Sequence, residues 1–158
     1  MNDAATVRGR TIAIEQVDHI GVRVRDLDAA LRFYGVLGFA LEVKVPYDAV
    51  AIIRNAAGVE LNLVFNANAG DPKANVLMDV PDKYPGYTHV ALRVQSIADT
   101  ITALNEHGIR ITQGPVSFGR DGHVSVFVRD PDRNVIELRG RAEDLSKLPG
   151  VRHYTPEQ

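Results

Sequence analysis

The chain has no cysteine among its 158 residues. That absence excludes disulfides, thiolate-ligated zinc and cysteine nucleophiles together, so any bound metal must be held by nitrogen and oxygen. Charge of one sign is also lacking. Eighteen Lys and Arg stand against twenty Asp and Glu, a net charge of -2, which gives no global attraction to nucleic acid or anionic lipid. No apolar run approaches the roughly 18 residues of a membrane span. The first residues, Met1 to Arg8, have no hydrophobic signal-peptide centre. The expectation is a cytoplasmic protein whose partners are a small-molecule substrate and a second copy of itself, with no nucleic acid and no membrane.

What is present is a duplication. His19-Ile20-Gly21-Val22-Arg23-Val24 is echoed seventy positions later by His89-Val90-Ala91-Leu92-Arg93-Val94. In each, alternation sets His, Gly or Ala, and Arg on one face of a strand and the branched apolar residues on the other. The echo continues through Asp26 to Leu31 against Ser96 to Ile101, and through Gly38-Phe39 against Gly108-Ile109. Two units of about seventy residues are expected to share one core.

Local signals give the order βαβββ twice. A strand is predicted over 14–24. Asp26 caps a helix with Leu27, Ala30, Leu31, Tyr34 and Leu37 on its buried face, and Gly38 ends it. Phe33 and Tyr34 are read as packing residues of that helix. Strands follow over 39–45, 50–54 and 59–65, broken at Pro46-Tyr47-Asp48 and Asn55-Ala56-Ala57-Gly58. Residues 66–86 are rich in Asn, Gly, Asp and Pro and read as a connector or lid. In the second unit Ser96 caps a helix with Asp99 completing a capping box, Ile97, Ile101 and Leu104 face inward, and Gly108 stops it. Strands are predicted over 109–112, 122–129 and 134–139, the last two joined by the turn Asp130-Pro131-Asp132-Arg133. A short helical piece is predicted near 142–148.

The fold class is therefore α+β: two tandem βαβββ modules forming a curved mixed sheet around a cavity. The arm covers 1–13, the domain 14–140 with modules 14–66 and 87–140, the connector 67–86, and the tail 141–158.

Alternation also places Glu60 and Glu137, each on the last strand of its module, opposite the apolar face. His19, Glu60, His89 and Glu137 thus offer two imidazoles and two carboxylates, a set suited to Zn, Ni, Co, Mn or Fe, with no organic cofactor required. Two carboxylates offset the charge of a divalent ion. Such an ion can hold two neighbouring oxygens of a substrate while Glu60 or Glu137 moves a proton from the adjacent carbon. Arg23, Arg93 and Arg139 lie in phase with these residues and are candidate contacts for a substrate carboxylate or phosphate. His123, opening a strand, is a further substrate contact. His107 is read as a helix C-terminal residue, and His153 has no assigned role.

The chain resembles the vicinal oxygen chelate superfamily, which includes glyoxalase I, methylmalonyl-CoA epimerase, extradiol dioxygenases and the fosfomycin- and bleomycin-resistance proteins. The likeness rests on Asp18 to Leu27, Phe33 to Phe39, Thr88 to Val94 and Asp130 to Leu138. It implies paired βαβββ modules around a metal, often in a homodimer. On that resemblance His19, Glu60, His89 and Glu137 fall on the four ligand positions of glyoxalase I, and Arg23 on a position holding a glutathione carboxylate. Val64 stands where the glyoxalase pattern has an asparagine, and Asn62 lies on the strand instead as a substrate-binding candidate. A metal-dependent lyase or isomerase of glyoxalase I type is the leading expectation. The alternatives are an Fe(II) extradiol dioxygenase, needing only His19, His89 and Glu137, and a non-catalytic small-molecule binding or resistance protein.

Overall fold

The computed structural model describes residues 9–68, 70, 74–118, 122–142 and 148–153. Predictions for residues 1–8 of the arm, 69 and 71–73 of the connector and 143–147 of the tail's helical piece lie outside the described residues.

The architecture is α+β and repeats the βαβββ order. The first module runs β1 (Ile20–Arg23), α1 (Leu27–Val36), β2 (Ala40–Val45), β3 (Val50–Arg54) and β4 (Glu60–Val64). Its second counterpart runs β5 (His89–Arg93), α2 (Ile97–Glu106), β6 (Ile111–Ser117), β7 (His123–Arg129) and β8 (Val135–Arg141), with a short β9 (Arg152–His153) added from the tail. Each module forms its own mixed sheet, in the orders β1-β4-β3-β2 and β5-β8-β7-β6-β9. The first and last strands of each module pair in parallel, with Ile20 opposite Leu61 and Ala91 opposite Glu137.

Both helices start where their caps were read. Asp26 accepts from the Ala29 amide at 3.0 Å and Ser96 from the Asp99 amide at 3.2 Å, each satisfying one orphan donor of a first turn. Both end before a glycine of positive φ, +88° at Gly38 and +65° at Gly108, where a Cβ would be strained. His107 is the C-terminal cap of α2.

Alternation then builds the core. Ile53, Leu61 and Leu63 in the first sheet and Val124, Val126 and Val128 in the second are fully buried, each contributing about 1.5–3 kcal/mol if it were otherwise exposed. With Val24, Tyr34, Ile97 and Leu104 they form one cluster drawn from both modules. Polar contacts also cross between modules: Tyr34 donates to Asp130 Oδ2 at 2.9 Å, Arg25 pairs with Asp132 at 3.0 Å, and Asn134 Nδ2 donates to the Arg23 carbonyl at 3.1 Å.

Three predicted elements are corrected. The first strand begins at Ile20 rather than Ile14, because residues 14–19, apolar only at Ile14 and Val17, do not alternate and pair with no strand among the described residues. The segment predicted as a strand over 109–112 is β6, running from Ile111 to Ser117 through Gly114-Pro115 by way of two register shifts against β7. Pro46–Asp48, read as a break, is a single 3₁₀ turn.

Candidate functional site

The face of each sheet opposite the core carries the predicted residues. Parallel pairing of Ile20 with Leu61 and Gly21 with Asn62 sets His19 level with Glu60, one step before the hydrogen-bonded ladder. In the second sheet the same face holds His89, Ala91 and Arg93 on β5, Val135, Glu137 and Arg139 on β8, and His123, Ser125 and Phe127 on β7. His89 Nε2 and Glu137 Oε2 approach to 3.2 Å.

All four candidate ligands share one pattern: a neighbour holds one polar atom and leaves the other open. His19 Nδ1 donates to Asp18 Oδ2 at 2.6 Å, leaving Nε2. His89 Nδ1 is 3.0 Å from Thr88 Oγ1, which turns Nε2 toward Glu137. The fully buried Ser125 hydroxyl donates to Glu137 Oε1 at 2.6 Å and accepts from Arg139 Nη1 at 3.2 Å, leaving Oε2 facing His89. Arg54, the register partner of Glu60, donates to Glu60 Oε2 and, at 2.7 Å, to Glu42 Oε2. Glu42 first and Glu60 after it raise the guanidinium pKa above its ordinary value. Outer contacts of this kind fix the orientation of metal ligands, so the residues present fit a divalent ion.

Within one chain the four do not gather. Among the described residues no three His, Asp or Glu side chains come close enough to hold a metal ion, so each sheet presents one imidazole and one carboxylate. The remaining predicted residues are placed as follows. Arg23 is exposed and donates to Asn66 Oδ1 at 3.1 Å. Asn62 Oδ1 is buried with no hydrogen-bond partner among the described residues. Arg93 donates to His123 Nε2 at 2.9 Å, and with Arg139 these two form a basic end of the second face, four positions along β5 from His89.

Residues 16–138 match the family described as the Glyoxalase/Bleomycin resistance protein/Dioxygenase superfamily. The chain belongs to this superfamily. It is 32% identical over 134 residues to the glyoxalase domain-containing protein RDO1 of Mycosarcoma maydis, covering 82% of this chain and 70% of that one. Over 129 residues it is 31% identical to a probable lactoylglutathione lyase of Synechocystis, covering 76% and 91%. The crystal structure of virulence protein STM3117 from Salmonella typhimurium is similar in fold, with a TM-score of 0.59, 26% identity, and coverage of 83% of this chain and all of that one.

In this glyoxalase-superfamily chain three functional features were not read from sequence. The residues that hold the candidate ligands, Thr88, Ser125 and Arg54, carried no motif, although Thr88 is adjacent to His89 and Arg54 faces Glu60 across one hairpin. A cleft of about 360 Å³ opens beside His89, between Met78 of the connector and Phe127, whose ring centroid lies 5.9 Å from that of His89. Asp79 of the connector binds both Arg129, at 3.1 Å, and Arg133, at 2.8 Å. The Arg133 hydrogen bond first, with the Asn75 amide and the arginine charges, holds the Asp79 carboxyl well below the usual carboxylate range against the opposing effect of its partial burial. Across the described residues no helix is long and apolar enough to cross a membrane.

Proposed function

We propose that the protein is a metal-dependent lyase or isomerase related in chemistry to lactoylglutathione lyase, acting as a homodimer whose site combines the two half-sites of different copies. The observation that carries this reading is the His89–Glu137 pair at 3.2 Å, with the outer atoms of both side chains already engaged. His19 and Glu60 form the matching pair on the first sheet. Exposed apolar side chains, including Ile12, Ile14 and Val17 ahead of β1 and Leu41 and Val43 of β2, supply surface for the second copy to cover.

A divalent ion held by His19, Glu60, His89 and Glu137 would polarise two neighbouring substrate oxygens and acidify the carbon beside them. The chain's own residues do the rest. Glu137 Oε2 is the atom that takes the proton from that carbon and returns it, because Ser125 holds Oε1 and turns Oε2 outward. Arg54 donates to Glu60 Oε2 and fixes that carboxylate in place, so Glu60 serves as ligand and fixed charge. Arg93 receives an anionic group at its end of the face. Arg23 and the buried Asn62 oxygen border the substrate from the first sheet.

Elemental analysis beside size-exclusion chromatography tests the composite site. Wild-type dimer is expected to hold one metal per chain, and His19→Ala and His89→Ala each to lose it. Mixing the two variants under subunit exchange should restore about a quarter of the wild-type content, since half the dimers are mixed and each carries one intact site of two. Folded, dimeric variants that regain no metal on mixing would refute the shared site. Metal retained by both variants would remove these histidines from it.

A further inference from the structure

The cleft beside His89 limits what the remainder of a substrate can be. Resting on the reading above, we infer that this cleft takes the non-chelating end of the substrate, and that this end is an uncharged aromatic or branched aliphatic group carrying an amide-like or carbonyl-like function. The void of about 360 Å³ is within the range that holds small organic ligands. Its apolar walls are Met78, Phe127 and Val135.

Charge balance decides the class. The cation on the lining, Arg129, is spent: its Nη2 binds Asp79 at 3.1 Å and its Nη1 donates to the Arg133 carbonyl at 2.7 Å. Among the described residues no carboxylate lines the cleft. Of the carboxylates beside it, Asp79 is paired with Arg129 and Arg133, and Glu137 belongs to the chelating pair. A carboxylate or ammonium pushed into the cleft would lose water without gaining a counter-ion.

The hydroxyls are spent too, since Thr112 donates to the Phe127 carbonyl at 3.1 Å and Thr88 is engaged with His89 Nδ1. Gln113 differs. Its side-chain amide lines the cleft and makes no hydrogen bond among the described residues, so it offers one acceptor and two donors to a neutral polar group. Arg93 lies at the other end of the face, four positions along β5 from His89, which gives a substrate with one polar or anionic end and one neutral end. Glutathione, charged at both of its extremities, fits this cleft poorly.

The test is an NMR titration of the metal-free, EDTA-treated protein with three ring compounds of nearly equal size: benzamide, benzoate and benzylammonium. The Met78 methyl and Gln113 side-chain amide signals report on the cleft itself. Benzamide should shift them saturably and bind at least about tenfold more tightly there than either ion. Gln113→Ala, at an exposed position, should weaken benzamide binding severalfold without changing thermal stability, and Phe127→Leu should weaken it independently. Benzoate or S-methylglutathione shifting these signals as tightly as benzamide would overturn the inference, as would unchanged benzamide affinity in both variants. The titration contains no metal, so its outcome is separate from that of the dimer-mixing experiment. A protein that binds no metal and still selects benzamide loses the lyase reading and keeps the cleft, whereas one that binds metal without discriminating loses the cleft alone.

Discussion

Removing the Ser125 hydroxyl asks whether the contacts behind Glu137 serve the sheet or the site. Ser125 is fully buried, donates to Glu137 Oε1 at 2.6 Å and accepts from Arg139 Nη1 at 3.2 Å. Ser125→Ala takes away one oxygen atom and so leaves almost no cavity, and its cost is therefore the two hydrogen bonds. Both involve a charged partner, a class worth about 1.5–3 kcal/mol each, and the longer one belongs at the low end. A loss of about 3 kcal/mol follows for the metal-free protein. At about 2–4 °C per kcal/mol for a chain of this size, the midpoint should fall by about 6–12 °C. The site makes a second demand. With Oε1 unheld, Glu137 rotates more freely, and loss of an outer contact to a ligand weakens metal binding by about 10- to 100-fold. Scanning calorimetry of the metal-free chain gives the first number, and competition for Zn²⁺ against a chromophoric chelator at fixed pH gives the second. An unmoved midpoint would refute the hydrogen-bond argument. A lowered midpoint with metal affinity within about twofold of wild type would refute the link from Ser125 through Glu137 to the ion.

Two further perturbations test the contacts that hold the modules and the connector. Tyr34→Phe removes the donor to Asp130 Oδ2, whose carboxyl burial pushes above its ordinary value while its hydrogen bonds, led by those from Asn134, oppose the shift. The variant should lose about 1.5–3 kcal/mol in urea unfolding at pH 7, less once acid has protonated Asp130, because a neutral acid needs the donor less. A penalty that does not change with pH would sink that account. Asp79 has the opposite sign: its folded carboxyl titrates below its ordinary value of 3.8, so its contribution is fully present above that value and is lost as pH falls below it. Asp79→Asn should therefore be less stable than wild type at pH 7, with the gap narrowing progressively as pH falls below about 4. A gap of equal size at both ends would show that the arginine pair is not its source.

Much of the fold was legible because it is encoded locally. Asp26 and Ser96 cap helices within three residues, Gly38 and Gly108 end them, and strict alternation assigned His19, Glu60, His89 and Glu137 to the polar faces. The misreadings occur where pairing, not pattern, decides. Residues 14–19, apolar only at Ile14 and Val17, pair with no strand among the described residues, and β6 continues through Gly114 and Pro115 because β7 is there to receive it. Alternation gives a side without giving a distance, so it could not say that the four candidate ligands would be divided between two sheets that no strand pairing joins. Nor could it find Ser125 or Tyr34 as hydrogen-bonding partners. Both are ordinary strand or helix residues in sequence, and their partners lie 12 and 96 positions away.

The hands that steady each donor all belong to the donor's own module: Asp18 and Arg54 in the first, Thr88 and Ser125 in the second. Copying a single module therefore transmits a finished pair of donors together with the scaffolding that aims them. Divergence can then proceed one half at a time, altering two side chains while the other two keep their own supports.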